Sequence, residues 1–356
     1  MKLKRTKTLL TFLVTAGLSL GLIPGLGRTA TAGEQQVGVS TMQITAPERQ
    51  RELDITLWYP AATGGEAVIV GDTALFKGIE GAKDAPLAEG SHPLVLVSLG
   101  GMRAAPDLGG WIGSRLASQG FIAALVQPPR LRASDAHLAP AEIWLRPGDL
   151  SATLTELEKN TLWSGHIDAD RVGALGFFLG GTSVLSLVGA QLDPDHYSQS
   201  CNPGSTGLDC AWFSKSNVDL QQIDAARIAR SNLDPRIKIA IAVDPELSTS
   251  FSPGSLAAIT SPTTILNLGT PDTILPGLEA SALAALIPGS SYTTLPGTSH
   301  FSAFAVCKPN GVAILAEEGE DQAICQEPDN RDRNLLHHEI SDEIINVLTA
   351  HLLLTK

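Results

Sequence analysis

The sequence predicts one α/β domain, a mostly parallel sheet with helices on both faces, on three observations. Short apolar runs recur at Pro93 to Ser98, Phe121 to Val126, Arg171 to Leu175, Ile237 to Val243 and Thr263 to Leu268. Continuous apolar runs of this length are strands buried on both faces, as parallel sheets require. Helix-like stretches separate them, around Trp111 to Ser118, Asp149 to Asn160 and Thr182 to Ala190, and such alternation builds parallel crossovers. No internal repeat or low-complexity linker divides the chain.

The first residues stand outside that domain. Lys2, Lys4, Arg5 and Lys7 are basic, Leu9 to Ile23 is apolar, and Ala30-Thr31-Ala32 is a small-residue cleavage signal. Together they read as a signal peptide over residues 1–32. Gly17, Gly21 and Pro24 argue against a permanent span. The domain is then residues 33–356, periplasmic or secreted, with no stable membrane span after leader cleavage. Five of the 25 basic residues and none of the 37 acidic ones lie in the leader. The remainder carries 20 basic and 37 acidic residues, a formal charge of −17, which excludes nucleic acid and anionic membrane as partners.

Past the leader, Val37 to Ile44 and Glu52 to Tyr59 alternate in polarity and predict an antiparallel hairpin, closed by Pro60. Residues 61–92, rich in Gly, Ala and Asp, read as a long surface excursion. The buried strands and helices follow, then a strand at Ser291 to Leu295 and an amphipathic helix at Asn334 to Leu354. A polar insertion at about 192–217 reads as a cover over a site. Four cysteines, Cys201, Cys210, Cys307 and Cys325, sit in an oxidising compartment, where an even number fits disulfides. Of three possible connectivities, the local one, Cys201–Cys210 with Cys307–Cys325, is expected. No C-x-x-C pair or histidine cluster accompanies them, so no metal is expected.

The chemistry centres on Gly176-Phe177-Phe178-Leu179-Gly180-Gly181. A strand precedes it and a helix follows, the layout of a nucleophile elbow, G-x-S-x-G. The glycines belong where strand and helix cross too closely for a Cβ. Phe178 stands where the attacking Ser would be, and a phenyl ring has no lone pair or ionisable proton to attack with. In the chain order of that fold, an acid follows a late strand and a His precedes the last helix. Asp272 and His300 fill those places, with Asp244 as the rival acid. Oxyanion donors would be the backbone N–H of Leu179 and of the early loop at Leu99 and Gly100. Ser98, Thr182, Ser183 and Ser299 are neighbouring hydroxyls, none at an elbow tip.

Leu57-Trp58-Tyr59-Pro60, Pro93 to Gly101, Arg146-Pro147-Gly148-Asp149, Ile167 to Gly181, Asp234 to Lys238, the Asp272 loop, and Gly297 to Phe301 followed by Cys307 carry a resemblance across nearly all of residues 37–354. The chain resembles the platelet-activating-factor acetylhydrolase and predicted dienelactone hydrolase branch of the α/β-hydrolases. The resemblance implies a serine esterase on short-acyl or alkyl esters, with no cofactor. Three departures stand against esterase chemistry: Phe178 at the nucleophile position, Leu99 where relatives have His, and Gln127-Pro128-Pro129-Arg130 in place of a D-H-P-G-like turn. The sequence therefore predicts a hydrolase-fold binding or interaction protein for a small apolar or ester-like molecule, and names no protein partner. The alternative is an ester hydrolase with a non-standard nucleophile, or with His300 and Asp272 as a general base on water.

Overall fold

The computed structural model describes residues 36–102, 108–205 and 207–354; the signal-peptide reading falls outside them. β1 (Gln36–Ala46) and β2 (Arg51–Ala61) form the expected antiparallel hairpin, with Gln36 opposite Ala61 and Ala46 opposite Arg51. Pro60 does not close β2 but lies within it. It sits past Trp58, the last β2 residue paired on the other side, so its missing N–H leaves no ladder bond open there. The expected surface excursion is instead partly sheet. β3 (Glu66–Val70) and β4 (Ile79–Lys83) pair antiparallel and extend the sheet past β1. They escape a periodicity reading because β4 meets β1 through only two residue pairs, Gly38 with Ala82 and Val39 with Lys83.

The expected buried strands all form. β5 (His92–Ser98), β6 (Ile122–Gln127), β7 (Ile167–Phe177), β8 (Ile237–Val243), β9 (Thr263–Leu268) and β10 (Ser291–Leu295) run parallel. The sheet order is β10-β9-β8-β7-β5-β6-β2-β1-β4-β3. Successive side chains point to opposite faces, so each strand feeds two cores. Leu94, Leu96, Val172 and Ala174 enter one, and Val95, Val97, Leu175 and Phe177 the other.

Helices cover both faces. α1 (Gly110–Ser118) packs on the second core beside the helix Arg333–Leu348, through Trp111, Ile112, Leu116, Ile340 and Ile344. α2 (Glu142–Lys159) and α3 (Leu179–Leu187) pack on the first through Leu150, Leu154, Val184 and Leu185. α2 starts well before the expected Asp149, with Pro147 inside it. Ion pairs outweigh the proline: Arg49 donates to Glu142 at 2.6 Å and to Asp149 at 2.7 Å, and Arg146 pairs with Glu142 at 3.1 Å. The insertion carries two short helices, α4 (Pro194–Gln199) and α5 (Cys210–Lys215). Both disulfides have the expected local pairing, Cys201–Cys210 and Cys307–Cys325. No helix among the described residues is long and apolar enough to cross a membrane.

Candidate functional site

The elbow forms as the glycines require. Phe178 links β7 to α3 with φ 59° and ψ −123°, a conformation that non-glycine residues rarely adopt. A Cβ on Gly176 would lie 2.0 Å from the Gly180 carbonyl oxygen, and one on Gly180 would lie 2.1 Å from that of Ser98. The Phe178 N–H donates to Val243 O at 3.0 Å, which ties the turn to the end of β8. Its ring is 6% exposed and meets Phe304 edge-on, with centroids 5.9 Å apart.

The other predicted residues follow the carboxyl ends of neighbouring parallel strands, where ligands bind in α/β sheets. Leu99 and Gly100 follow β5, Asp272 follows β9 and His300 follows β10. The structure does not join them into a relay. Asp272 is exposed on its turn, and no hydrogen bond links it to His300 among the described residues. His300 instead lies against Phe301, with ring centroids 3.8 Å apart, and Phe301 meets Phe304 in turn. Burial pulls the His300 imidazole down to about 4, opposed only by Asp321. Asp244, the rival acid, is buried at the end of β8. Its Oδ1 accepts from Asn267 Nδ2 at 2.7 Å and from the Leu268 N–H at 2.9 Å, while its Oδ2 has no partner among the described residues. Burial pushes its carboxyl up to about 7.

Beside the elbow stands a group that the sequence reading missed. Glu246 follows β8 on a turn in which Asp244 and Leu247 both have positive φ, 45° and 58°. Backbone bonds at both ends clamp it to the elbow. Its N–H donates to Phe178 O at 3.2 Å, and Thr182 Oγ1 donates to its carbonyl at 2.5 Å. The Leu179 N–H, the first expected oxyanion donor, faces the Glu246 carboxyl and draws its pKa down against the effect of burial. A Cβ on Gly101 would lie 2.9 Å from Glu246 Oε1, so the early loop also closes on this carboxyl. The Met102 N–H donates to Asp209 Oδ2 at 3.3 Å. Burial, helped by Asp209 and opposed by Arg146 and the Leu179 N–H, pushes the Glu246 carboxyl up to about 8. An anion hole stabilises negative charge that develops on a substrate oxygen; here a side-chain oxygen already faces its donor.

Arg146 fixes the early loop from below. Its guanidinium donates to Gly100 O at 2.7 Å and to Gly101 O at 2.6 Å, and it is 1% exposed. Beside Glu246 and Met102 lies a cavity of about 330 Å³ whose wall includes Cys201 and Cys210. Tyr197, Asp209, Phe213 and Glu246 line it. Tyr197, Asp209 and Phe213, all from the 192–217 insertion, form part of that wall. The signal for Glu246 was an acid two residues past a strand-end Asp, and only the folded turn gives it meaning. No group of three or more metal-ligating side chains gathers among the described residues.

A mostly parallel sheet with helices on both faces, an elbow after a central strand and a cover over the strand ends together define the α/β-hydrolase fold. The solved structures include a ferulic acid esterase from Streptomyces cinnamoneus that is similar to this chain, with a TM-score of 0.58 and 16% identity over 91% of this chain and 92% of that one. No protein-family profile and no curated protein matches the sequence.

Proposed function

We propose that this chain is an exported α/β-hydrolase-fold protein that binds a small apolar or ester-like molecule and does not cleave it. On this reading it descends from carboxylic-ester hydrolases of the platelet-activating-factor acetylhydrolase and predicted dienelactone hydrolase branch, and its likeness in fold to a ferulic acid esterase fits that descent. One observation carries the reading: the elbow is intact in backbone, yet its tip is the buried ring of Phe178. Two of the neighbouring hydroxyls are already engaged. Thr182 Oγ1 is bonded to Glu246 O, and Ser183 Oγ to Leu179 O at 2.7 Å. Asp272 and His300 remain the proposed triad remnant, with the Leu179, Leu99 and Gly100 backbone as the remnant of the hole.

The test is hydrolysis of p-nitrophenyl acetate and butyrate. The native protein should show no turnover above that of His300→Ala. Phe178→Ser should gain little, because Glu246 still faces the oxyanion donor. Phe178→Ser with Glu246→Ala, which withdraws the acceptor from that N–H, should gain more, since one working donor is worth roughly 10²–10³ in rate. Native turnover that His300→Ala abolishes would overturn the reading.

A further inference from the structure

The second disulfide sits beside His300. Cys307 and Cys325 are 18 positions apart, and between them run the helix Gly311–Glu318 and the turn Gln322–Cys325. That turn packs against the turn His300–Ala303. Asp321, which precedes it, acts on the His300 imidazole against the effect of burial. Both ends of the segment are held by other means. At its start, the Lys308 N–H donates to Leu75 O at 2.8 Å, and the Lys308 ammonium pairs with Asp72 at 2.8 Å. At its end, Glu327 accepts from Ser302 Oγ at 2.5 Å and pairs with Arg333. Arg333 in turn donates to Ala305 O at 3.1 Å. These contacts fix the His300 turn itself. The stretch between the two ends has little core of its own. Leu315 is its one buried apolar side chain among the described residues, and it belongs to neither of the two cores. Residues 316–322 are all exposed. Segments with few buried apolar contacts open locally at low cost, so the cross-link at Cys325 is what keeps the turn against His300.

We propose that residues 309–326 form a flap over His300, latched shut by the Cys307–Cys325 bond and opened by a dithiol reductant. One thiolate of the dithiol attacks a sulfur of the bond and forms a mixed disulfide, and the second thiolate displaces the remaining cysteine sulfur. Cys307 and Cys325 end as thiols, having taken two electrons and two protons, and the dithiol ends as a disulfide. Neither cysteine is fully buried, so a reductant can reach the bond. Cys307 stays in place through its bridge to Phe76, while Cys325 moves with its turn. Glu327 keeps its hold on Ser302 and Arg333, so the flap swings between two fixed ends and the His300 turn is left standing. The flap sets the access of solvent and solutes to the imidazole, whether or not His300 is the remnant of a triad.

The test compares the native protein with two double variants, Cys307→Ala with Cys325→Ala and Cys201→Ala with Cys210→Ala. Diethyl pyrocarbonate at about pH 7 modifies neutral imidazole, the form His300 takes there, and peptide mass mapping reads the extent at His300. Loss of the Cys307–Cys325 bond should speed that modification, and amide exchange across residues 309–326, at least about tenfold. Exchange in β5, β7 and β8 should stay as it is. Loss of the Cys201–Cys210 bond should change neither quantity. If the first variant fails to fold, reduction of the folded Cys201→Ala, Cys210→Ala protein with dithiothreitol reads the same two quantities, because Cys307–Cys325 is then its only disulfide. Three results would overturn the latch: His300 modified at the same rate with the bond broken, an equal change on loss of Cys201–Cys210, or a core that unfolds together with the flap.

Discussion

Two side chains set the character of the site, and each acts through what it displaces. Phe178 puts at the tip of the elbow, where the proposal sets a lost nucleophile, a ring that packs on Phe304. Glu246 brings a carboxyl to face the Leu179 amide, the proposed remnant of the hole. Burial holds that carboxyl protonated up to about 8, far above its ordinary 4.5. The folded state therefore keeps a proton that the unfolded chain loses, and the associated stability is present below about pH 4.5 and lost as pH rises through about 8. Glu246→Gln cannot ionise and is free of that loss. Relative to the native protein it should gain stability between about pH 6 and about pH 9, on the order of 3 kcal/mol at most. Denaturant melts of both proteins at the two pH values measure this. A constant difference would show that Glu246 ionises freely in the fold.

At the scale of elements, the elbow is held from two sides. The turn after β8 grips it through Glu246, and α2 grips the early loop through Arg146. The Arg146 contacts are buried, while Arg171 pairs with Asp168 with both side chains more than a quarter exposed. The difference in burial predicts a difference in cost. Removing one partner of a buried ion pair costs about 3–5 kcal/mol, and an exposed pair is worth about 1 kcal/mol or less. Arg146→Met should thus lower unfolding free energy several-fold more than Arg171→Met and speed amide exchange at Gly100 to Met102. Equal losses would show that Arg146 does not hold the loop.

For the molecule as a whole, two local disulfides, a net acidic chain and the leader pattern fit the proposed export. If the leader is cut after Ala32, N-terminal sequencing of the exported protein should find Gly33 first. Recovery of an intact Met1 terminus in the membrane fraction would refute it. The sheet also explains how distant residues share one site. Leu99, Phe178, Glu246, Asp272 and His300 all follow strands that run in the same direction, so their loops gather at one edge.

The sequence by itself determined the buried strands, the elbow glycines with Phe178 between them, and the disulfide pairing. Each is a local property. A continuous apolar run reports burial on both faces, a glycine reports a place with no room for a Cβ, and cysteines close in sequence close small loops. Only the tertiary structure decided what Glu246 and Arg146 touch. Glu246 and Leu179 are far apart in the chain, and a strained turn after β8 brings the carboxyl to the amide. The pairing of β3 and β4 and the early start of α2 were decided in the same way, by contacts with β1 and Arg49 that no local window contains. The same reason keeps Asp272 and His300 apart. Chain order places both at one edge of the sheet, but whether two side chains meet there is set by the packing of the loops, and here aromatic rings took the space beside His300.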